Sequence, residues 1–513
     1  MERKHNIVSA LLLFLLLGVM LLPAVQNRLH LISEKKLEGA VIPATDTILN
    51  SDTWFDGSYA RAHEKYLNDQ FGFRNSMIRL RNEIYYRAYS RVFAKDVVMG
   101  KSGFLYELYY LEAHAGLDYI GDAKLKKRFE MLKLVQDSLE KRGIRFLIAF
   151  APGKASYYPE YIPAPYANPS PVTNYFKHVE YAKQYGIHCI DFNAWFMQLK
   201  QTMPYPLYPK TGTHWSVYGM HVAFDSLSRY LEKVFNHKMA RFDYSKVELS
   251  DSLRTPDGDI AEGLNLFSRL PHFKMAYPVL KWTDTTAVFK PRVMVVSDSY
   301  WMGIYFLMLP QHSFSKHEFW YYNNQVFNYN PEGKVGKVGD YDLKRKVEGS
   351  DAIILVSTEA TLKELGWGFI EEVYNMYKNG PAAYANQRQF RKKISELNET
   401  KRNIRGTREW MLNLEKESRK TGITVDSLVD QNASYIYTQN HLNDTQSTVP
   451  EVNEVTEEDK LLDMVKETVE QIKRDPVWLE AVKKKALERH IPLDSAIVQD
   501  ARWVSVEEMK KHK

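Results

Sequence analysis

The sequence predicts an α/β fold, a parallel sheet sandwiched by helices, and two observations carry that prediction. Four short apolar runs, Arg145–Phe150, Ile187–Phe192, Arg292–Val296 and Asp351–Ser357, alternate with amphipathic stretches of helical period. Strands covered on both faces read as unbroken apolar runs, and an alternation of such runs with helices implies parallel pairing. Two chemistry-bearing segments, Pro152-Gly153-Lys154 and Asp298-Ser299, directly follow two of these runs. That is the carboxyl end of a strand, where sheets of this kind gather functional groups.

Ile7 to Val25 is an uncharged, Leu-rich stretch of 19 residues preceded by Arg3 and Lys4. It is long enough to cross a bilayer as a helix. Its exit, Pro23-Ala-Val-Gln26, is a poor cleavage site, which favours an uncleaved anchor over a signal peptide. With so short a tail before it, the body of the protein is expected outside the cytoplasm, in the periplasm, on a single inner-membrane span. Thr47 to about Ala94 carries apolar residues at helical spacing, and Gly100 to Tyr106 reads as a turn running into a short strand. Helices are expected over Leu125–Lys141, stopped by Gly143, over Val172–Tyr185, stopped by Gly186, and over Val217–Phe235.

Beyond Ala382 the sequence turns charged and helical, with an acidic linker over 449–459. Across the linker lies an internal repeat, 404–435 against 472–503, without gaps: Trp410 matches Trp478, Ile423 matches Ile491, Asp426-Ser427 matches Asp494-Ser495, and Ala433 matches Ala501. Two copies are too few for a free-standing solenoid, so a small helical module or interaction surface is expected. The domain reading is therefore an anchor (1–27), a helical segment packing on the core (28–120), the α/β domain (121–380) and a helical extension (381–513).

Composition narrows the function. At 513 residues the chain is long enough for more than one domain. A net charge of +6 is small for this size and gives no argument for nucleic acid. The single cysteine, Cys189, excludes an internal disulfide and any paired-cysteine site, and lies in an apolar run as an inert core thiol. No metal-ligand spacing, phosphate loop or dinucleotide fingerprint is present, so no cofactor is expected.

What remains points to nucleophilic chemistry. Ser299, on a turn after a buried strand, reads either as a nucleophile or as a hydroxyl at a helix start. As a nucleophile it needs a base, and His214, in Lys210-Thr-Gly-Thr-His-Trp-Ser216, is the candidate. Trp215 sits beside that imidazole to lock it or to line a substrate, and Ser216 is placed to cap the next helix. Candidates for holding the oxyanion or orienting the base are the Tyr300 N–H, Asp298, Asn324 in Asn323-Asn324, and Glu359 past the last strand. Lys154 and Tyr322 are candidate substrate-binding groups, with a surface lysine and a core aromatic as the plainer readings.

Strand-Asp-Ser with an upstream Thr-His-Trp resembles the SGNH-hydrolase-like (flavodoxin-like) domain of the alginate O-acetyltransferases, over roughly Thr47 to Lys378. Asp69-Gln-Phe-Gly-Phe-Arg74, Gly100 to Tyr106 and Ala151-Pro-Gly-Lys154 share in the likeness. The resemblance implies Ser299 as nucleophile, His214 as base, a polysaccharide acceptor, and a membrane-bound O-acyltransferase that supplies acetyl groups. Two positions depart from it. Gly212 stands where the family places its triad aspartate, and Ser297 stands for the glycine of Gly-Asp-Ser. An esterase fits the same dyad. A missing acid instead favours a non-catalytic binding or assembly subunit on the same scaffold.

Overall fold

The computed structural model describes residues 2–39, 44, 48–49, 51–55, 57–168, 170–282, 288–328, 334–379 and 387–441, then 464, 467–469, 471–489 and isolated positions (493, 497, 500, 501, 504, 505, 508). Strands β1 (Val97–Met99) and β2 (Leu105–Glu107) form a small antiparallel pair. β3 (Arg145–Ala151) and β4 (Cys189–Asp191) open the central sheet, and β5 (Phe242–Ser250) and β6 (Met275–Trp282) make a separate antiparallel ribbon. β7 (Arg292–Ser297), β8 (Lys316–Tyr321), β9 (Gln325–Phe327), β10 (Lys334–Lys337) and β11 (Ala352–Thr358) complete a sheet of order β10-β9-β8-β7-β11-β3-β4.

The sheet is mixed, which corrects the expectation of a parallel one. β8, β7, β11, β3 and β4 run parallel, whereas β9 and β10 are antiparallel. The cause is the link between β8 and β9. Only Tyr322, Asn323 and Asn324 separate them, with Tyr322 and Asn323 at φ 51° and 48°. A connection that short can return only antiparallel, since a parallel crossover needs a dozen residues or more.

Alternation along the strands builds two cores. β3 sends Leu147, Ala149 and Ala151 to one face with Val293, Val295 and Ile354, where helix Val217–Phe235 covers them through Met220, Phe224 and Leu227. Phe146, Ile148 and Phe150 point the other way with Met294, Val296 and Ile353, beneath helices Asp122–Glu140 and Phe369–Lys378. β4 is shorter than the apolar run predicts because Asp191 accepts the Ala194 N–H (2.9 Å) and caps a helix beginning at Phe192. A capping carboxylate converts the end of an apolar run from strand to helix.

At the N-terminus, helix Glu2–Leu29 contains a segment, Ser9–Leu29, long and apolar enough to cross a membrane. The helical stretch after it is broken into Ser51–Phe55, Ser58–Gln70 and Arg74–Tyr89. At the C-terminus, helices Gln387–Gly406, Arg408–Thr421 and Val425–Asn440 bury Ile404, Leu414, Val429 and Ala433 in one small core. A second core buries Ile472, Val482, Ile497 and Ala501, the same positions at the repeat's offset. Trp410 donates to Asn432 (3.2 Å) and Trp478 donates to Asp500 (2.9 Å), again at matching positions. The acidic linker, Ile491, Asp494 and Ser495 lie outside the described residues.

Candidate active site

Ser299 owes its position to the residue before it. β7 ends at Ser297, and Asp298 caps helix Ser299–Phe306 by accepting the Tyr300 N–H (3.0 Å). The second carboxylate oxygen of Asp298 accepts from the Thr358 N–H (3.2 Å) and the Thr361 hydroxyl (2.6 Å), tying the end of β7 to the end of β11. Asp298 is therefore a buried structural carboxylate, correcting its reading as an orienting group. The Tyr300 N–H is likewise already bonded, correcting its reading as an oxyanion donor. Ser299 is half-buried.

His214 arrives on the loop leading to helix Val217–Phe235, which Ser216 caps by accepting the Gly219 N–H (2.9 Å). Two reciprocal ties lock this loop to the turn that carries Ser299. The Tyr300 hydroxyl donates to the Thr213 carbonyl (3.0 Å), and the Trp215 indole N–H donates to the Tyr300 carbonyl (3.2 Å). Between these ties, His214 Nε2 lies 2.9 Å from Ser299 Oγ. Trp215 is 1% exposed and packs on Phe192, Phe196 and Tyr300, so it fixes the loop from inside the core and cannot line a substrate.

The carboxylate that meets His214 comes from a place no local spacing marks. Asp259 Oδ2 is 2.6 Å from His214 Nδ1, while Asp259 Oδ1 accepts the Thr213 N–H (2.8 Å). Gly212 explains how it gets there. A Cβ at 212 would lie 2.8 Å from the carbonyl oxygens of both Pro256 and Asp257, so the loop carrying Asp259 occupies the room a side chain at 212 requires. The Ala261 N–H to Thr211 carbonyl bond (3.0 Å) and the Val217 N–H to Asp257 bond (3.1 Å) dock the same loop. Burial works against protonation of His214, but the hydrogen bond and charge of Asp259, with Glu107 and Asp298 nearby, outweigh it and raise the pKa.

The remaining predicted residues divide. Glu359 is buried away from the imidazole, accepting from Ser156 (2.6 Å) and Asn193, and burial pushes it up to about 7. It does not orient His214, because the turn after β11 aims it at Ser156 and Asn193. The Asn324 side-chain oxygen accepts from Ser395 (2.5 Å) of helix Gln387–Gly406, so it braces that helix. Lys154 is neither at the surface nor on a substrate path. Its buried ammonium donates to the carbonyls of Leu105 (2.6 Å), Lys210 (2.8 Å) and Gly212 (2.6 Å), and burial lowers it to about 7. All three of its donors are spent holding the loop that delivers His214. Tyr322 does reach the site: its N–H donates to the Ser297 carbonyl (2.8 Å), which sets its ring beside Ser299, and burial holds its hydroxyl well above the usual range. Glu107, at the end of β2, joins the same group, close enough to act on both His214 and Asp259, and accepts from Tyr109.

Sequence reasoning thus missed Asp259 and Glu107. The available signal for Asp259 was Pro256-Asp-Gly-Asp259, a turn ending in a carboxylate at a helix start, but nothing in it points to His214.

Residues 97–289 match the family model described as "SGNH hydrolase-like domain, acetyltransferase AlgX". His214 and Asp259 fall within that span, and Ser299 follows it. The chain is 27% identical over 186 residues to "Probable alginate O-acetylase AlgJ" of Pseudomonas syringae pv. tomato, a match covering 36% of this chain and 44% of that relative. The chain thus spans less than half the length of this curated relative. Similar solved structures include the O-acetyltransferase domain of Pseudomonas putida AlgJ, at 15% identity over 57% of this chain and 99% of that one, TM-score 0.34. Pseudomonas aeruginosa AlgX matches at 14% identity over 55% of this chain and 67% of that one, TM-score 0.38.

Proposed function

We propose that this chain, whose residues 97–289 belong to the SGNH hydrolase-like domain family of the alginate O-acetyltransferases, transfers acetyl groups to hydroxyls of an exported or cell-surface polysaccharide. The observation that carries the reading is the line Ser299 Oγ, His214 Nε2, His214 Nδ1, Asp259 Oδ2, with contacts of 2.9 and 2.6 Å. Asp259 holds the proton on Nδ1, which leaves the Nε2 lone pair facing Ser299. Ser299 Oγ attacks the acetyl carbonyl as its proton passes to Nε2, and the leaving group departs with that proton. A sugar hydroxyl then gives its proton to Nε2 and attacks the acetyl-serine, forming the sugar ester and restoring Ser299. The oxyanion of each step would be met by the Ser299 N–H, which has no intrahelical acceptor at a helix's first position, and by the Tyr322 hydroxyl.

The rival reading, a binding subunit without chemistry, rested on Gly212. Asp259 supplies the carboxylate that Gly212 lacks, which favours catalysis. The apolar segment Ser9–Leu29 supports a single membrane span, and the acetyltransferase reading places the body on the periplasmic side with a membrane-bound acyltransferase as acetyl donor.

The test is intact mass of the protein lacking its apolar N-terminal helix after incubation with an activated acetyl ester. One acetyl adduct per chain is expected, absent in Ser299→Ala and slow to form in His214→Ala. A folded protein that takes up no adduct sinks the reading. Transfer of the adduct to oligosaccharide, as against release to water, separates transferase from esterase.

A further inference from the structure

Helix Gln387–Gly406 lies beyond the residues that match the family, yet it packs against the turn that borders the nucleophile. Ser395 donates to Asn324 (2.5 Å), and Ile394 stands 3.2 Å from where a Cβ on Gly368 would be. Lys337 meets Glu399 at 3.0 Å. These contacts place Arg402 over the ring of Tyr322, its guanidinium carbon 5.8 Å from the ring centroid. Tyr322 is the residue whose N–H donates to the Ser297 carbonyl (2.8 Å), which sets it beside Ser299.

Arg402 differs from the charged residues around it on the helix. Lys401 pairs with Asp430 (2.8 Å), Arg405 pairs with Glu364 (3.4 Å) and Asp426 (3.2 Å), and Glu396 pairs with His441 (3.1 Å). Among the described residues no carboxylate pairs with Arg402. The acids nearest the nucleophile are each engaged: Asp259 with His214, Asp298 with Thr358 and Thr361, Glu107 with Tyr109. An aromatic face holds the guanidinium in place while leaving its forked donors free, and that fork matches a carboxylate in two parallel hydrogen bonds.

We propose that helix Gln387–Gly406 completes the acceptor subsite, and that Arg402 binds a carboxylate carried by the acceptor sugar next to the hydroxyl that reacts. The inference deepens the acetyltransferase reading and rests on it for the hydroxyl's fate, but not for binding. The C-terminal extension then selects charged acceptor chains over neutral ones of the same shape.

The experiment measures Kd by calorimetry for the full-length protein with a uronic-acid tetrasaccharide and with its carboxyl-reduced counterpart. Arg402→Gln should weaken the charged tetrasaccharide about 10- to 100-fold, as loss of a charge-assisted contact does. Arg402→Lys should recover part of the loss, and the reduced tetrasaccharide should bind all three proteins alike. An unchanged Kd in Arg402→Gln, or an equal loss for both sugars, overturns the proposal. If binding behaves as expected and no acetyl-serine forms, the acetyltransferase reading fails and this one stands.

Discussion

At the residue scale, the proposed chemistry depends on one proton held on one nitrogen. Asp259 fixes His214 Nδ1–H and accepts the Thr213 N–H, so it orients the ring and the loop together. Asp259→Asn keeps the shape and removes the charge. An amide facing Nδ1 permits the wrong tautomer, and acetyl-serine formation should fall on the order of 10⁴-fold. The pH dependence should move as well. His214 accepts a proton only when neutral, so the rate rises with pH through its pKa, which Asp259 holds above the usual value. Without that charge the rising limb shifts to lower pH. A rate within a few-fold of wild type, with an unmoved limb, would exclude Asp259 from the role. Lys154 shows how the same residue type can be misread: three carbonyls at 2.6 to 2.8 Å satisfy its ammonium inside the protein, where an unpaired one is not tolerated.

At the element scale, the loop over residues 254–259 and the loop before His214 share one space. Gly212 lets the Pro256 and Asp257 carbonyls approach to where a Cβ would stand at 2.8 Å. Gly212→Asp, which places a carboxylate two residues before the histidine, should therefore lower activity, since backbone oxygens on both sides leave the new side chain no room. The displaced loop would carry Asp259 away from Nδ1, and overpacking of this kind costs about 1–3 kcal/mol. Acetylation rate and thermal midpoint should drop together. A Gly212→Asp variant as active and as stable as wild type would mean the two loops are not in competition. The β8–β9 link acts at the same scale: its shortness reverses the chain, makes the sheet mixed, and sets Tyr322 beside Ser299.

At the scale of the whole molecule, the two C-terminal cores are alike in sequence and unlike in position. Ile404 and Ile472 are each 0% exposed at matching places, so Ile404→Ala and Ile472→Ala should each cost about 2–5 kcal/mol within their own module. Only Ile404 lies on the helix that carries Ser395 and Arg402. Transfer to a charged acceptor should suffer in Ile404→Ala and be spared in Ile472→Ala, while acetyl-serine formation survives in both. Equal effects of the two substitutions on transfer, read by product mass, would deny the first module its place at the site.

The sequence by itself determined the apolar N-terminal helix, the four parallel strands it marked, the helix over Val217–Phe235 and its Ser216 cap, and the pair Ser299 and His214 as the candidates to examine. Each is encoded locally, by periodicity, by a capping residue, or by a strand that ends in a reactive side chain. Only the tertiary structure decided that the carboxylate beside His214 is Asp259, that Lys154 is internal, that Asp298 and Glu359 face away from the imidazole, and that Arg402 lies over Tyr322. Those relations join residues far apart in the chain, and they depend on which backbone fills the space beside Gly212 and which helix lies on the β8–β9 turn. Short-range patterns record what a segment becomes, and not what it comes to rest against.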